Sequence, residues 1–132
     1  MKCQIKNIMQ KEIVKIKVGL ISDNDLFIAE INGKYIQTER EYYHALSHSF
    51  RFPTLANNLP SMLDWIRDLM WLHKEKYCLI IYNYSLFMKN DNELRNMLIG
   101  LFEETIFPHW EYDVIHTVAG GYPKQFDVYL VD

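Results

Sequence analysis

Two aspartates four residues apart, Asp64 and Asp68, follow the stretch Phe52-Pro53-Thr54-Leu55-Ala56-Asn57-Asn58-Leu59-Pro60 and carry the most suggestive chemistry in the chain. A carboxylate held on a rigid element accepts charge-assisted hydrogen bonds from cationic groups, so an outward-facing pair can grip a basic partner. The residues before them set their position. Pro53 restricts Phe52 to extended backbone, Asn57 or Asn58 can accept from the first free amides of a helix, and Pro60 suits a first turn, where its missing N–H goes unnoticed. A helix is therefore expected to start near Leu59. Along it Met62, Leu63, Ile66, Leu69 and Met70 keep the spacing of a buried stripe, which turns Asp64 and Asp68 toward water. Charges on the solvated side of an amphipathic helix ordinarily only keep it soluble, and periodicity alone does not separate that role from binding.

Catalytic readings find less support. His44 and His48 stand at helical spacing and could in principle share a metal, but no acid completes a recognised motif around them. Ser47, Ser49, Ser61 and Ser85 lack a nucleophile-elbow context, Cys78 falls inside an apolar run, and no glycine-rich phosphate loop follows a strand. Gly120-Gly121 reads as a turn. No enzyme activity, no metal and no cofactor is expected.

Composition narrows the partners. At 132 residues the chain has the size of one domain, and 49% hydrophobic with 14% aromatic residues supports a folded core. A net charge of −3 gives no reason to bind nucleic acid or an anionic membrane, yet suits a basic protein. Aromatic residues without a basic patch among them signal core and interface. Cys3, in a start expected to fray, and Cys78 give no disulfide framework, which fits a reducing compartment. Lys2, Lys6, Lys11 and Glu12 interrupt any signal-peptide core, so a cytoplasmic location is expected.

The elements that must carry the acids read as follows. Ile16, Val18 and Leu20 alternate with Lys15, Lys17 and Gly19 as a half-buried strand would, and Ser22-Asp23-Asn24-Asp25 supplies a turn before a second strand over residues 26–31, so an N-terminal hairpin is expected. Asn32-Gly33 is a favoured tight-turn pair that would fold residues 26–31 back onto Tyr35-Ile36. Thr38 and Glu41 form a capping box for a helix to about Ser49. Residues 77–82 are a continuous apolar run typical of a central, possibly parallel strand. Asp91 or Asn92 caps a further helix carrying Leu94, Met97, Leu98, Leu101 and Phe102, which Pro108 should end. Glu103 and Glu104 then fall near its C-terminus, where the helix dipole disfavours them. Residues 113–118 could be another strand and residues 126–131 are a terminal one. The strands at 26–31, 77–82 and 126–131 should share one sheet, with 77–82 flanked on both sides.

The order of Ile31-Asn32-Gly33, Phe52-Pro53, Asn58-Leu59, Leu63-Asp64, Leu79-Ile80, Phe102 with Glu104, and the strand beginning near Asp127 resembles the barstar family, small protein inhibitors of ribonucleases. The resemblance runs from about Leu26 to the end, with residues 1–25 as an N-terminal extension of a single domain. It implies an α/β fold in three layers, a small, mainly parallel sheet flanked by helices, with an extra N-terminal strand or hairpin. It also implies that the chain plugs a nuclease active site with an acidic helix and its preceding loop. Asp64 then stands where the family has its principal inhibitory aspartate, a mimic of phosphate, and Glu104 aligns with a second acid. Asp68, Leu55, Asn57, Asn58 and Pro60 complete the implied partner surface, Asn58 mainly as a shaper of the loop. Thr54-Leu55-Ala56-Asn57 is a residue shorter than the usual family loop and lacks its aromatics and glycine, and Pro60 replaces a frequent acid. A basic nuclease toxin, blocked by this chain as its immunity protein, is the partner expected. The alternative is a non-inhibitory adaptor on the same scaffold.

Overall fold

The computed structural model describes residues 2–132. Four parallel strands, β1 (Ile5–Ile8), β2 (Leu26–Asn32), β3 (Lys76–Tyr82) and β4 (Gln125–Val131), form one sheet in the order β1-β4-β3-β2. As expected, β2, β3 and β4 share the sheet, and β3 has a neighbour on each side. In the register Ala29 faces Leu79 and Leu79 faces Val128.

A parallel strand buried on both faces reads as an unbroken apolar run, and β3 shows why. Tyr77, Leu79 and Ile81 point into the larger core, whereas Cys78 and Ile80 join a smaller one with Ile13, Tyr129 and Val131. The larger core lies under α2 (Glu39–Ser49), α3 (Leu59–Ile66) and α4 (Asn92–Leu101). The smaller lies under α1 (Gln10–Ile21). The molecule is thus three layers, with the sheet in the middle.

The N-terminal hairpin does not form. Residues 10–21 are α1, and the added strand, β1, lies before it and pairs with β4. Ile16 and Leu20 fit both periods: with Ile13 they occupy positions i, i+3 and i+7 of a helix, and only a sheet face left bare by α2 to α4 decides between the readings. The expected turn is present between α1 and β2, where Asp25 N donates to Asp23 Oδ1 at 3.0 Å.

The return of residues 26–31 onto Tyr35-Ile36 is also absent. Gly33–Tyr35 form one 3₁₀ turn, with Asn32 Oδ1 accepting from Lys34 N at 3.0 Å and from Asn83 Nδ2 at 2.8 Å. Gly33 is required by proximity: a Cβ there would stand 2.7 Å from Phe87 Cβ and 2.8 Å from Asn83 O. Cys3 is not frayed either. It is buried, and its Sγ accepts from Phe126 N at 3.2 Å.

Pro108 does not end the fourth helix. After Leu101 the chain continues through widened turns at Phe102–Ile106 and His109–Asp113, then α5 (Val114–Thr117). Phe107 N donates to Phe102 O and Val114 N to His109 O, each five residues back. A proline has no N–H to give and its ring crowds the carbonyl four residues earlier. Widened turns on both sides give that ring room, so the helix passes it. The strand expected at 113–118 is therefore helical through Thr117, and Glu103 and Glu104 sit in mid-helix, where the end-of-helix dipole argument does not reach them. Val118 to Gly121 close the expected turn, Gly121 N donating to Val118 O at 2.9 Å with Gly120 at φ 73°.

Candidate protein-binding site

The loop from Arg51 to Asn58 is fastened to α2 at three points. Phe52 N donates to Ser47 O at 2.9 Å, Ala56 N donates to the buried Ser47 Oγ at 2.9 Å, and Asn57 Oδ1 lies 2.7 Å from His44 Nε2. Ser47 Oγ in turn donates to Tyr43 O at 2.7 Å. Phe52 and Ala56 are buried while Pro53, Thr54 and Leu55 between them and Asn57 and Asn58 after them are exposed, so the loop is pinned at two buried points and at Asn57 and presents the residues between. Such anchoring lowers the entropy lost when a partner docks. Ser47→Ala leaves the buried Ala56 N–H without an acceptor. It is expected to lower stability by about 1–3 kcal/mol in urea denaturation.

Asn58 caps α3, its Oδ1 accepting from Ser61 N at 2.9 Å, with exposed Pro60 in the first turn. Met62 and Ile66 are fully buried and Asp64 points to water with its side chain 79% exposed. The helix is shorter than its periodicity suggests. It ends at Ile66, and Leu69 adopts a left-handed backbone, φ 55°, which buries Leu69 but swings Met70 out to 71% exposure. Asp68 is consequently not on the helix. Its Oδ1 accepts from Met70 N at 3.2 Å and holds the turn that follows.

Arg67 connects this end of α3 to the widened helix. Its Nε donates to Leu63 O at 3.1 Å, its Nη1 to Thr105 Oγ1 at 3.1 Å, and its Nη2 stands 3.7 Å from Asp64 Oδ1. Glu104, exposed, immediately precedes Thr105. Trp110 adds a second tie, donating from Nε1 to Ile66 O at 3.2 Å. The Asp64 pair with Arg67 is a surface contact of small energy, which leaves the carboxylate available to a stronger cation.

Beside Asp64 opens a cleft of about 720 Å³, lined also by Asp68, His109, Asp113, Val118 and Tyr122. The sequence does not point to it, because a helix ending at Pro108 and a strand over residues 113–118 place its walls in separate elements. The available signal was the apolar pattern of Ile106, Trp110 and Val114, which continues the helical stripe past Pro108. His109 is buried with no partner for Nε2, and burial, then the nearby Arg67 guanidinium, hold it below its ordinary value. The unfolded chain takes up a proton near pH 6.5 that the folded chain refuses until the pH is lower. Stability should therefore fall as the pH drops through about 6.5 and level off below the folded value. Comparing urea midpoints at neutral and mildly acid pH checks this, with a smaller loss expected in His109→Gln.

His44 and His48 line one open hollow with Glu30, Asn32 and Glu41, where His44 faces Asn57 and His48 is exposed. Both thiols are free and buried, which pushes Cys3 up to about 11 and Cys78 to about 12. Among the described residues no helix is long and apolar enough to cross a membrane.

An acid-bearing helix, a clamped loop before it and a parallel sheet behind them are the arrangement expected of the barstar family. A family model described as Barstar (barnase inhibitor) matches residues 26–119, and the chain belongs to that family. The match leaves out β1, α1 and β4, which supply one sheet edge, the cover of one sheet face and a central strand. No curated protein and no solved structure gives a significant match.

Proposed function

We propose that this protein inhibits a basic ribonuclease by seating α3 and the loop before it in the nuclease active site, as an immunity protein does for its toxin. The observation that carries the reading is Asp64: a carboxylate exposed at 79% on a helix whose start is capped, whose loop is clamped and whose end is bolted by Arg67 and Trp110. A site built to bind phosphate offers converging cationic donors. A fixed carboxylate satisfies them in place of the substrate once water is excluded. Glu104, Asp68 and the exposed Leu55, Asn57 and Pro60 surround it in this reading, and the protein contributes occlusion, not chemistry. The net charge of −3 favours encounter with a basic enzyme.

The shortened loop carries Leu55 where the family commonly has aromatics, so the partner differs from the best-known family targets. Family membership supports the inhibitor role, and the acid's exposure on a rigid support favours it over an adaptor that binds elsewhere. The test is affinity capture at low salt from cells of the native host, with Asp64→Lys as a parallel bait. The reading expects the native bait alone to retain a basic protein that degrades RNA after elution in high salt. Equal retention by both baits would contradict it.

A further inference from the structure

The cleft beside Asp64 has features that a phosphate-mimicking acid does not explain. Exposed apolar side chains gather at it: Met70 at 71%, Tyr122 at 49% and Val118 at 47%. Methionine and tyrosine in such a setting are typical of protein interfaces. Its wall is fixed, because Gly121 packs so closely on α5 that a Cβ there would stand 2.6 Å from Val114 O. Lys124 sits beneath, already committed, its Nζ donating to Lys74 O at 2.8 Å and Tyr77 OH at 3.3 Å.

The lining is negative by one charge: three carboxylates, Asp64, Asp68 and Asp113, face two cations, Arg67 and Lys124. Arg67 stands by Asp64, and Lys124 points its Nζ to Lys74 O and Tyr77 OH. Asp68 receives one backbone amide, and the Asp113 carboxylate has neither an ion pair nor a hydrogen bond among the described residues. His109, held neutral by burial near neutral pH, adds no positive charge. A ligand suited to such a cleft carries a cation at the end of an aliphatic stem, because a compact ion would leave the apolar wall uncovered and an apolar group would leave the acids unpaired.

We propose that this cleft receives a lysine or arginine side chain of the partner protein, its stem against Met70, Val118 and Tyr122 and its charged end at Asp68 and Asp113, as a second anchor beside Asp64. The identity of the partner rests on the inhibitor reading, whereas the chemistry of the cleft does not. Part of its wall, Gly120 to Lys124, lies beyond the stretch shared with the family, which makes it a place where this chain can select its own target.

The test needs no nuclease. The ¹⁵N-labelled protein is titrated with N-acetyl-arginine amide and, separately, with N-acetyl-norleucine amide, following backbone amide shifts. The arginine probe should move Met70, Asp113, Val118 and Tyr122 together and saturably at millimolar concentration, with norleucine about threefold weaker or worse and Asp68→Asn/Asp113→Asn weakened by about the same factor. Glu12→Ala, on α1 across the sheet from the cleft, should leave the probe bound. Shifts scattered over the acidic surface, equal response to norleucine, or an unaffected double variant that keeps its dispersed spectrum would overturn the proposal. Any of these three results leaves the Asp64 reading standing, since that one is decided by nuclease capture.

Discussion

Asp64→Ala is expected to leave the thermal midpoint of the free protein nearly unmoved while weakening the ribonuclease complex by about 2 kcal/mol or more, roughly thirtyfold in Kd. That magnitude is carried over from buried hot-spot charges, the barstar family's own inhibitory aspartate among them. In the free protein the side chain is 79% exposed and its one ion pair, to Arg67, spans 3.7 Å in solvent, so folding owes it little. In the complex the carboxylate would be desolvated among cationic groups, and its removal strands them without a counter-charge. Calorimetric unfolding and titration calorimetry separate the two effects. Association should also slow as salt rises, because the steering field is screened beyond about 10 Å at 0.1 M ionic strength. Unchanged affinity in both Asp64→Ala and Glu104→Ala would mean that this face is merely solvated, and binding through another surface would then be the better account.

The largest effect on stability belongs to Phe126→Ala, expected to cost about 3–5 kcal/mol. Phe126 is fully buried on β4, with ring centroids of Phe50 at 5.7 Å, Phe102 at 5.9 Å, Tyr77 at 6.0 Å and Phe107 at 6.2 Å around it. It thus joins α2, the widened helix and β3 in one aromatic cluster. Its backbone N–H also donates to Cys3 Sγ, so the N-terminal segment is tied to the same point. Against a total of about 5–15 kcal/mol for an ordinary domain, such a loss removes a large fraction of stability. A urea midpoint shifted by less than a third of that expectation would show that the cavity collapses or that the aromatic cluster is not the centre of the core.

Local chemistry was legible wherever a side chain bonds its own neighbourhood. Thr38 and Glu41 make the expected capping box, with Glu41 N donating to Thr38 Oγ1 at 3.1 Å and Thr38 N to Glu41 Oε1 at 3.0 Å. Asn58 and Asp91 cap α3 and α4 by one bond each, accepting from Ser61 N at 2.9 Å and Leu94 N at 3.0 Å. What failed was settled by distant contacts. The residues of α1 alternate well enough for a strand, and become a helix because Cys78, Ile80, Tyr129 and Val131 leave one sheet face to be covered. Pro108 ends a helix in isolation but is carried through by two widened turns packed on Phe126 and α3. The placement of Asp64 on the exposed side of α3 followed from periodicity. The cleft did not, because its walls meet only in the folded chain.

In the proposed complex the acidic face occupies the catalytic site of a ribonuclease. The direct measurement is RNA cleavage by the captured nuclease at increasing ratios of this protein, with and without a competing mononucleotide that occupies the nuclease active site. Cleavage is expected to fall to zero at one equivalent, and the mononucleotide to slow formation of the complex in proportion to its occupancy of the active site. A complex that forms at one equivalent yet still cleaves RNA at the full rate, or that forms with no sensitivity to the nucleotide, would contradict that placement of the acidic face.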